Sequence, residues 1–157
     1  MTLNLWNFLK VLHEFSAMVT VGSLLTGCLL VWHESRRATA DAPLPNAQAV
    51  RRVNLWLTTP ALGLLLATGL GMALTNSYRL SPTYILTSLI ALAAAIPAWA
   101  LVALPGAARF AAAGGWRDGR RSWWIGVSIT LGLILFGAAM MVIRPVWWEG
   151  VSAYTPP

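Results

Sequence analysis

The chain has 157 residues, of which 57% are hydrophobic and 10% charged, with a formal net charge of +6. A water-soluble domain carries about a quarter charged side chains, so this composition excludes an ordinary soluble globular protein. The basic excess does not indicate nucleic acid, because the arginines cluster at the ends of apolar runs, which is the pattern of membrane topology.

Four apolar runs predict membrane spans at approximately 4–32, 54–75, 83–104 and 123–143. Each is long enough for a bilayer that needs about 20 residues. Together they use up most of the chain, so residues 1–157 read as a single all-α integral membrane domain without room for an extramembrane catalytic module. Short connections favour antiparallel neighbours, so the expected architecture is an up-down four-helix transmembrane bundle.

The first run is not a secretory signal: it lacks a basic leading segment, is longer than a 7–15-residue signal core, and has no small-residue cleavage site after it. Within it, "LKVLHEFSAM" (9–18) places Lys10, His13 and Glu14 in one turn. Ionisable groups inside a span are costly and mark function by default. Lys10 and Glu14 are four apart and can neutralise each other. Lys10, His13, Ser16 or Ala17, Thr20, Ser23 and Gly27 recur at steps of three and four, which puts them on one narrow polar and small face. Cys28 is the single cysteine, so no internal disulfide forms.

After the connector 33–53, with its irregular "ATADAPLPNAQ", the second run shows a matching stripe of Asn54, Thr58, Ala61, Leu65, Thr68, Met72 and Thr75. The two stripes are expected to face each other inside the bundle. Pro60 should kink this run and free the Trp56 carbonyl, with Thr58 and Thr59 placed to re-satisfy it. Gly63, Ala67 and Gly71 form a small-residue ridge for close helix approach. Ser81-Pro82 opens the third run, Pro97 should kink it and free the Ala93 carbonyl, and Pro105-Gly106 is expected to end it. Ala91 and Ala95, with Ala94 and Ala98, make a second ridge, and Ser128 and Gly132 make a third on the last run, which Pro145 ends.

Arginine sets the orientation. Segment 33–53 holds Arg36, Arg37, Arg51 and Arg52, and segment 106–122 holds Arg109, Arg117, Arg120 and Arg121, whereas the 75–82 turn has only Arg79. Lys/Arg-rich short loops stay cytoplasmic, so both termini are expected outside. Trp6, Trp32, Trp56, Trp116, Trp123, Trp124, Trp147 and Trp148 fall near predicted span ends, as headgroup anchors do, and only Trp99 lies deeper.

In this topology His13 lies roughly 10 Å below Trp6, at a depth similar to Met72, Met140 and Met141. Imidazole with thioether is a ligand set for Cu(I), or an axial pair for haem b. His13 is thus the candidate metal ligand, with Met72, Met140 and Met141 as cofactor-binding partners. Against that stand two bland alternatives: methionine as interior filler and histidine bonding a neighbouring helix. His33 is 20 residues from His13, about 30 Å along one helix, so one chain cannot ligate a haem through both. No phosphate loop, CxxC, HExxH or GxSxG is present, and no buried Asp completes a nucleophilic set around Ser16. No residue is assigned a catalytic role.

Lys10-x-Leu12-His13 followed by Gly22, Pro60 with Thr68-Gly69, and Met141-x-x-Arg144-Pro145 resemble a family of small bacterial four-span integral membrane proteins classed as a domain of unknown function. The resemblance covers nearly the whole chain and departs where Arg144 stands in place of the more common lysine. It implies a plasma-membrane (bacterial inner membrane) location and brings no activity. A looser likeness to copper-resistance D-type membrane proteins ranks copper among the cofactors. The chain is therefore expected to be an accessory or partner-binding membrane subunit in the lipid bilayer, in a larger complex or as a homo-oligomer, without nucleic acid. The alternatives are haem or copper binding through His13, and a proton- or ion-coupled transporter using His13 and Glu14.

Overall fold

A computed structural model describes residues 5–37, 46–75, 83–112 and 116–143. They form four long helices, with no strand among the described residues. Helix α1 is Leu5–Arg37. Helix α2 is continuous through Ala47–Val53, a π-helical turn at Asn54–Thr58, and Thr59–Thr75. Helix α3 is continuous through Thr83–Ala98, a second π turn at Trp99–Ala103, and Leu104–Phe110. Helix α4 is Trp116–Ile143. All four are long and apolar enough to cross a membrane.

The helices run further than the predicted spans: α4 begins at Trp116, ahead of the span read from 123. One expectation is corrected, since Pro105-Gly106 does not end the third helix, which continues to Phe110. Both π turns explain how a helix survives a proline. The last N–H before the proline closes a wider turn: Thr59 N–H reaches Asn54 O, and Leu104 N–H reaches Trp99 O. Pro60 and Pro105 follow immediately. The widened turn gives the ring room against the preceding carbonyls, where an α-turn would clash. Neither threonine re-satisfies the Trp56 carbonyl: Thr59 Oγ1 donates to Asn54 O at 2.8 Å, and Thr58 Oγ1 has Ser23 Oγ at 2.8 Å as a nearer acceptor than Val53 O at 3.4 Å.

Neighbouring helices alternate in direction, as the cross-helix contacts show. Ser23 meets Thr58 and His13 meets Leu65 between α1 and α2. Trp99 Nε1 donates to Thr59 Oγ1 at 3.0 Å between α2 and α3. Ser88 Oγ donates to Gly137 O at 2.9 Å between α3 and α4. Such bonds matter here because lipid offers no hydrophobic drive for helix association, leaving packing and interhelical hydrogen bonds, at about 0.6 kcal/mol each, to hold the bundle.

The interior is densest toward the end that carries Arg36, Arg51, Arg52, Arg109, Arg120 and Arg121. Leu24, Val31, Val50, Trp99, Ala103, Ala107, Phe110, Trp123 and Val127 pack there. Helices α3 and α4 touch backbone to backbone. A Cβ at Gly106 would lie 2.5 Å from Trp123 N, and one at Gly126 would lie 2.6 Å from Ala103 Cα. At the rim Asn46 donates to the buried Glu34 carboxylate, and the Arg36 guanidinium stacks 4.1 Å over the Trp32 ring.

Large apolar side chains such as Val11, Met18, Leu29, Leu101 and Val142 cover the outside, as a lipid-facing surface requires. Trp32 and Trp56 are exposed, as headgroup anchors must be. Trp123 is instead buried and belongs to the core. Two small-residue ridges also turn out differently. Gly63 and Ala67 on α2, and Ser128 and Gly132 on α4, face outward, whereas Gly71, the third member of the α2 ridge, lies against Leu9 of α1, and Ala91 and Ala95 on α3 pack inside as expected. Arg79, Ser81-Pro82, Arg144-Pro145, Trp147 and Trp148 lie outside the described residues, as do the side chains of Trp116 and Arg117.

Candidate functional site

The two stripes expected to face each other do so. Ser16, Thr20 and Ser23 on α1 and Asn54, Thr58, Ala61, Leu65 and Thr68 on α2 are all buried. Thr58 Oγ1 donates to Ser23 Oγ at 2.8 Å, and Ser23 Oγ in turn donates to Thr20 O at 3.0 Å. Ser16 and Thr20 satisfy themselves on the carbonyls of Leu12 and Ser16, four residues back. Lys10 and Thr75, at the ends of the stripes, are exposed. One polar side chain is stranded: Asn54 is fully buried, and neither its Oδ1 nor its Nδ2 has a partner. It lies against Gly27, which also accommodates the edge of the Trp123 ring, whose Nε1 is likewise unpartnered.

His13 sits where this stripe approaches the other end of the bundle, and it points into protein. Its Nδ1 is 3.1 Å from Leu65 O and 3.0 Å from Thr68 Oγ1. A carbonyl can only accept, so Nδ1 carries a proton, and in the neutral tautomer the lone pair then lies on Nε2. Thr68 Oγ1 in turn donates to Leu64 O at 2.7 Å, which fixes its oxygen as the second acceptor. Gly69 leaves room for the ring: a Cβ there would be 3.2 Å from His13 Cε1.

Beside the imidazole is a cleft of about 310 Å³, lined by all four helices. Its residues fall into layers. His13, Gly69, Ser88 and Gly137 form the middle layer. Ala17, Leu65, Leu92 and Leu133 lie about one turn deeper, Met72, Tyr84 and Met141 lie about one turn toward the helix ends, and Trp6 lies two turns from His13 in that direction. Of the sequence-predicted site residues, His13, Met72 and Met141 come together here. Met140 does not line the cleft, and Lys10 and Glu14 pair with each other at 3.9 Å on the exposed side of α1. Tyr84 and Ser88 were not singled out from the sequence. Their only signal is the four-residue step that puts them on one face of α3.

Among the described residues no three His, Cys, Asp or Glu side chains converge. The side chains lining the cleft thus include an imidazole, two thioethers and two hydroxyls in an apolar wall.

Residues 7–145 match the model of a family described as predicted integral membrane protein (DUF2269), and the chain belongs to that family. No curated protein and no solved structure matches it.

Proposed function

We propose that this member of the predicted integral membrane protein family is a non-catalytic binding protein, which holds a small ligand or cofactor in the cleft beside His13. The observation that supports this is the cleft itself, about 310 Å³ of space inside a bundle whose opposite end is close-packed. Small-molecule sites take this form: an apolar cavity of about 300–1,000 Å³ with a few placed polar groups. Copper, or haem b, with His13 and a methionine is the cofactor version of the reading. The bilayer in question is the plasma membrane, with the arginine-bearing end cytoplasmic.

The test is purification in nanodiscs from native membranes, followed by native mass spectrometry, metal analysis and an absorption spectrum. A bound species is expected at one per chain, lost when Ala17→Phe fills the floor of the cleft. Wild-type protein that carries nothing, and whose mass spectrum does not differ from that of Ala17→Phe, refutes the proposal.

A second reading, an accessory subunit or homo-oligomer, draws on the outward faces of Gly63 with Ala67 and of Ser128 with Gly132. A Cβ at Gly63 or Gly132 would meet nothing within 4 Å, and small lipid-facing residues let another helix approach closely. A partner or second copy should co-elute in mild detergent and be lost in Gly63→Leu or Gly132→Leu. A stable monomer with no partner rules this out. Proton or ion transport through His13 and Glu14 has less support, because Glu14 is turned away from the cleft.

A further inference from the structure

We infer that the species held in the cleft is a soft monovalent cation of the Cu(I) type, bound by the His13 imidazole and the thioethers of Met72 and Met141. This rests on the reading of the cleft as a binding site.

The first support is the imidazole. Leu65 O and Thr68 Oγ1 hold the Nδ1 proton from two sides, at 3.1 and 3.0 Å. This leaves Nε2 as the donor atom. Metal-binding histidines are oriented in this way, with the far nitrogen anchored on a carbonyl so that ring and tautomer are fixed before the metal arrives. Nε2 has no hydrogen-bond partner among the described residues.

The second support is where the sulfurs lie. Met72 is four residues beyond Thr68, the residue that anchors the ring, so it shares that face of α2 one turn nearer the helix end. Met141 is four residues beyond Gly137 on α4. Both line the cleft with His13, Met141 remaining 41% exposed, so that one imidazole and two thioether side chains from three helices border one space. A single lining methionine is filler. Two, on different helices, at one level and beside an oriented imidazole, form a donor set.

The third support is charge. Among the described residues, no carboxylate, thiol, lysine or arginine side chain lines the cleft. Neutral donors in an apolar wall leave a divalent ion uncompensated, and thioethers are too soft for magnesium or calcium. A monovalent d¹⁰ cation suits both the softness and the low charge of the set.

The test uses full-length protein in nanodiscs, titrated anaerobically with Cu(I) buffered by the chromophoric chelator bicinchoninate. X-ray absorption at the copper edge reads the ligand shell. One copper per chain should be withdrawn from the chelator, into a shell that contains both nitrogen and sulfur. Met72→Leu and Met141→Leu, which conserve volume, should each weaken the affinity about tenfold or more, and His13→Gln should do the same. Met140→Leu, adjacent in sequence but off the cleft, should leave it unchanged. Circular dichroism checks that each variant retains its helices. The inference is overturned if no copper is withdrawn, if the bound shell lacks sulfur, or if Met72→Leu/Met141→Leu binds as wild type does. If copper is not bound while a species sensitive to Ala17→Phe is present, the metal assignment fails and the cleft reading stands. Loss of both removes both.

Discussion

Replacing Gly126 by alanine tests whether α3 and α4 are held by backbone contact. A Cβ at position 126 would lie 2.6 Å from Ala103 Cα and 2.7 Å from Ala103 Cβ. Ordinary carbon–carbon contact needs about 3.5 Å, so the helices must part by close to 1 Å, and a neighbouring backbone has no flexible end that can yield. Overpacking of this kind costs about 1–3 kcal/mol. Against it, alanine gains about 1 kcal/mol of helix propensity over glycine. Gly132, six residues along the same helix, supplies the control, since a Cβ there meets nothing within 4 Å. There the propensity gain stands alone. Gly132→Ala should therefore be as stable as wild type or more so, and Gly126→Ala should fall below Gly132→Ala by about 2 kcal/mol. Thermal or denaturant unfolding in one detergent, followed by circular dichroism, measures both. Equal stability of the two variants would refute the close-contact argument.

Thr58→Val removes the donor to Ser23 across α1 and α2 and should cost about 0.6 kcal/mol, at most about 1.7, in the same unfolding assay. A larger loss would mean that the stripe acts as a network. Asn54→Leu should be neutral or stabilising, because both amide atoms are buried without partners, and an apolar isostere removes that burden. A loss above about 2 kcal/mol would instead show that the amide has a bound partner. Lys10→Ala breaks an exposed 3.9 Å pair and should cost no more than about 0.5 kcal/mol at moderate salt. A single cysteine introduced at position 121 should be reached by impermeant maleimide only in inverted vesicles. Labelling from outside intact cells would reverse the proposed orientation.

The facing stripes of α1 and α2 were legible because hydroxyl and amide side chains reveal their inward direction. In lipid such groups are favoured inside protein, although Thr26 and Ser128 face outward, and a run of them at steps of three and four then fixes the face. The alternating helix direction brought His13, Met72, Met140 and Met141 to one end. It could not separate Met140 from Met141, since neighbours on a helix differ by about 100° and neither is polar enough to choose a side. Small residues carry no such label. Gly63 and Ala67 look as fit for an interior contact as Ala91 and Ala95, yet only the second pair is inside. Gly106, Gly119 and Gly126, which make the tightest contacts, belonged to no expected ridge. Pro105-Gly106 signalled a helix end, because the rule assumes α geometry and the preceding π turn lifts that constraint. The Glu34–Asn46 contact lay hidden because the segment read as a loop rather than as a helix rim.

Those two π turns have a consequence for how the chain tolerates changes in length. Each holds one residue more than an α-helix covering the same rise, so α2 and α3 store slack at 54–58 and 99–103. Deleting a residue there can be absorbed by tightening the turn, so that the faces above and below keep their partners, although the proline ring beyond it then crowds the carbonyl behind. Deleting a residue anywhere else would swing half a helix around its axis by about 100° and turn its hydroxyls toward the acyl chains.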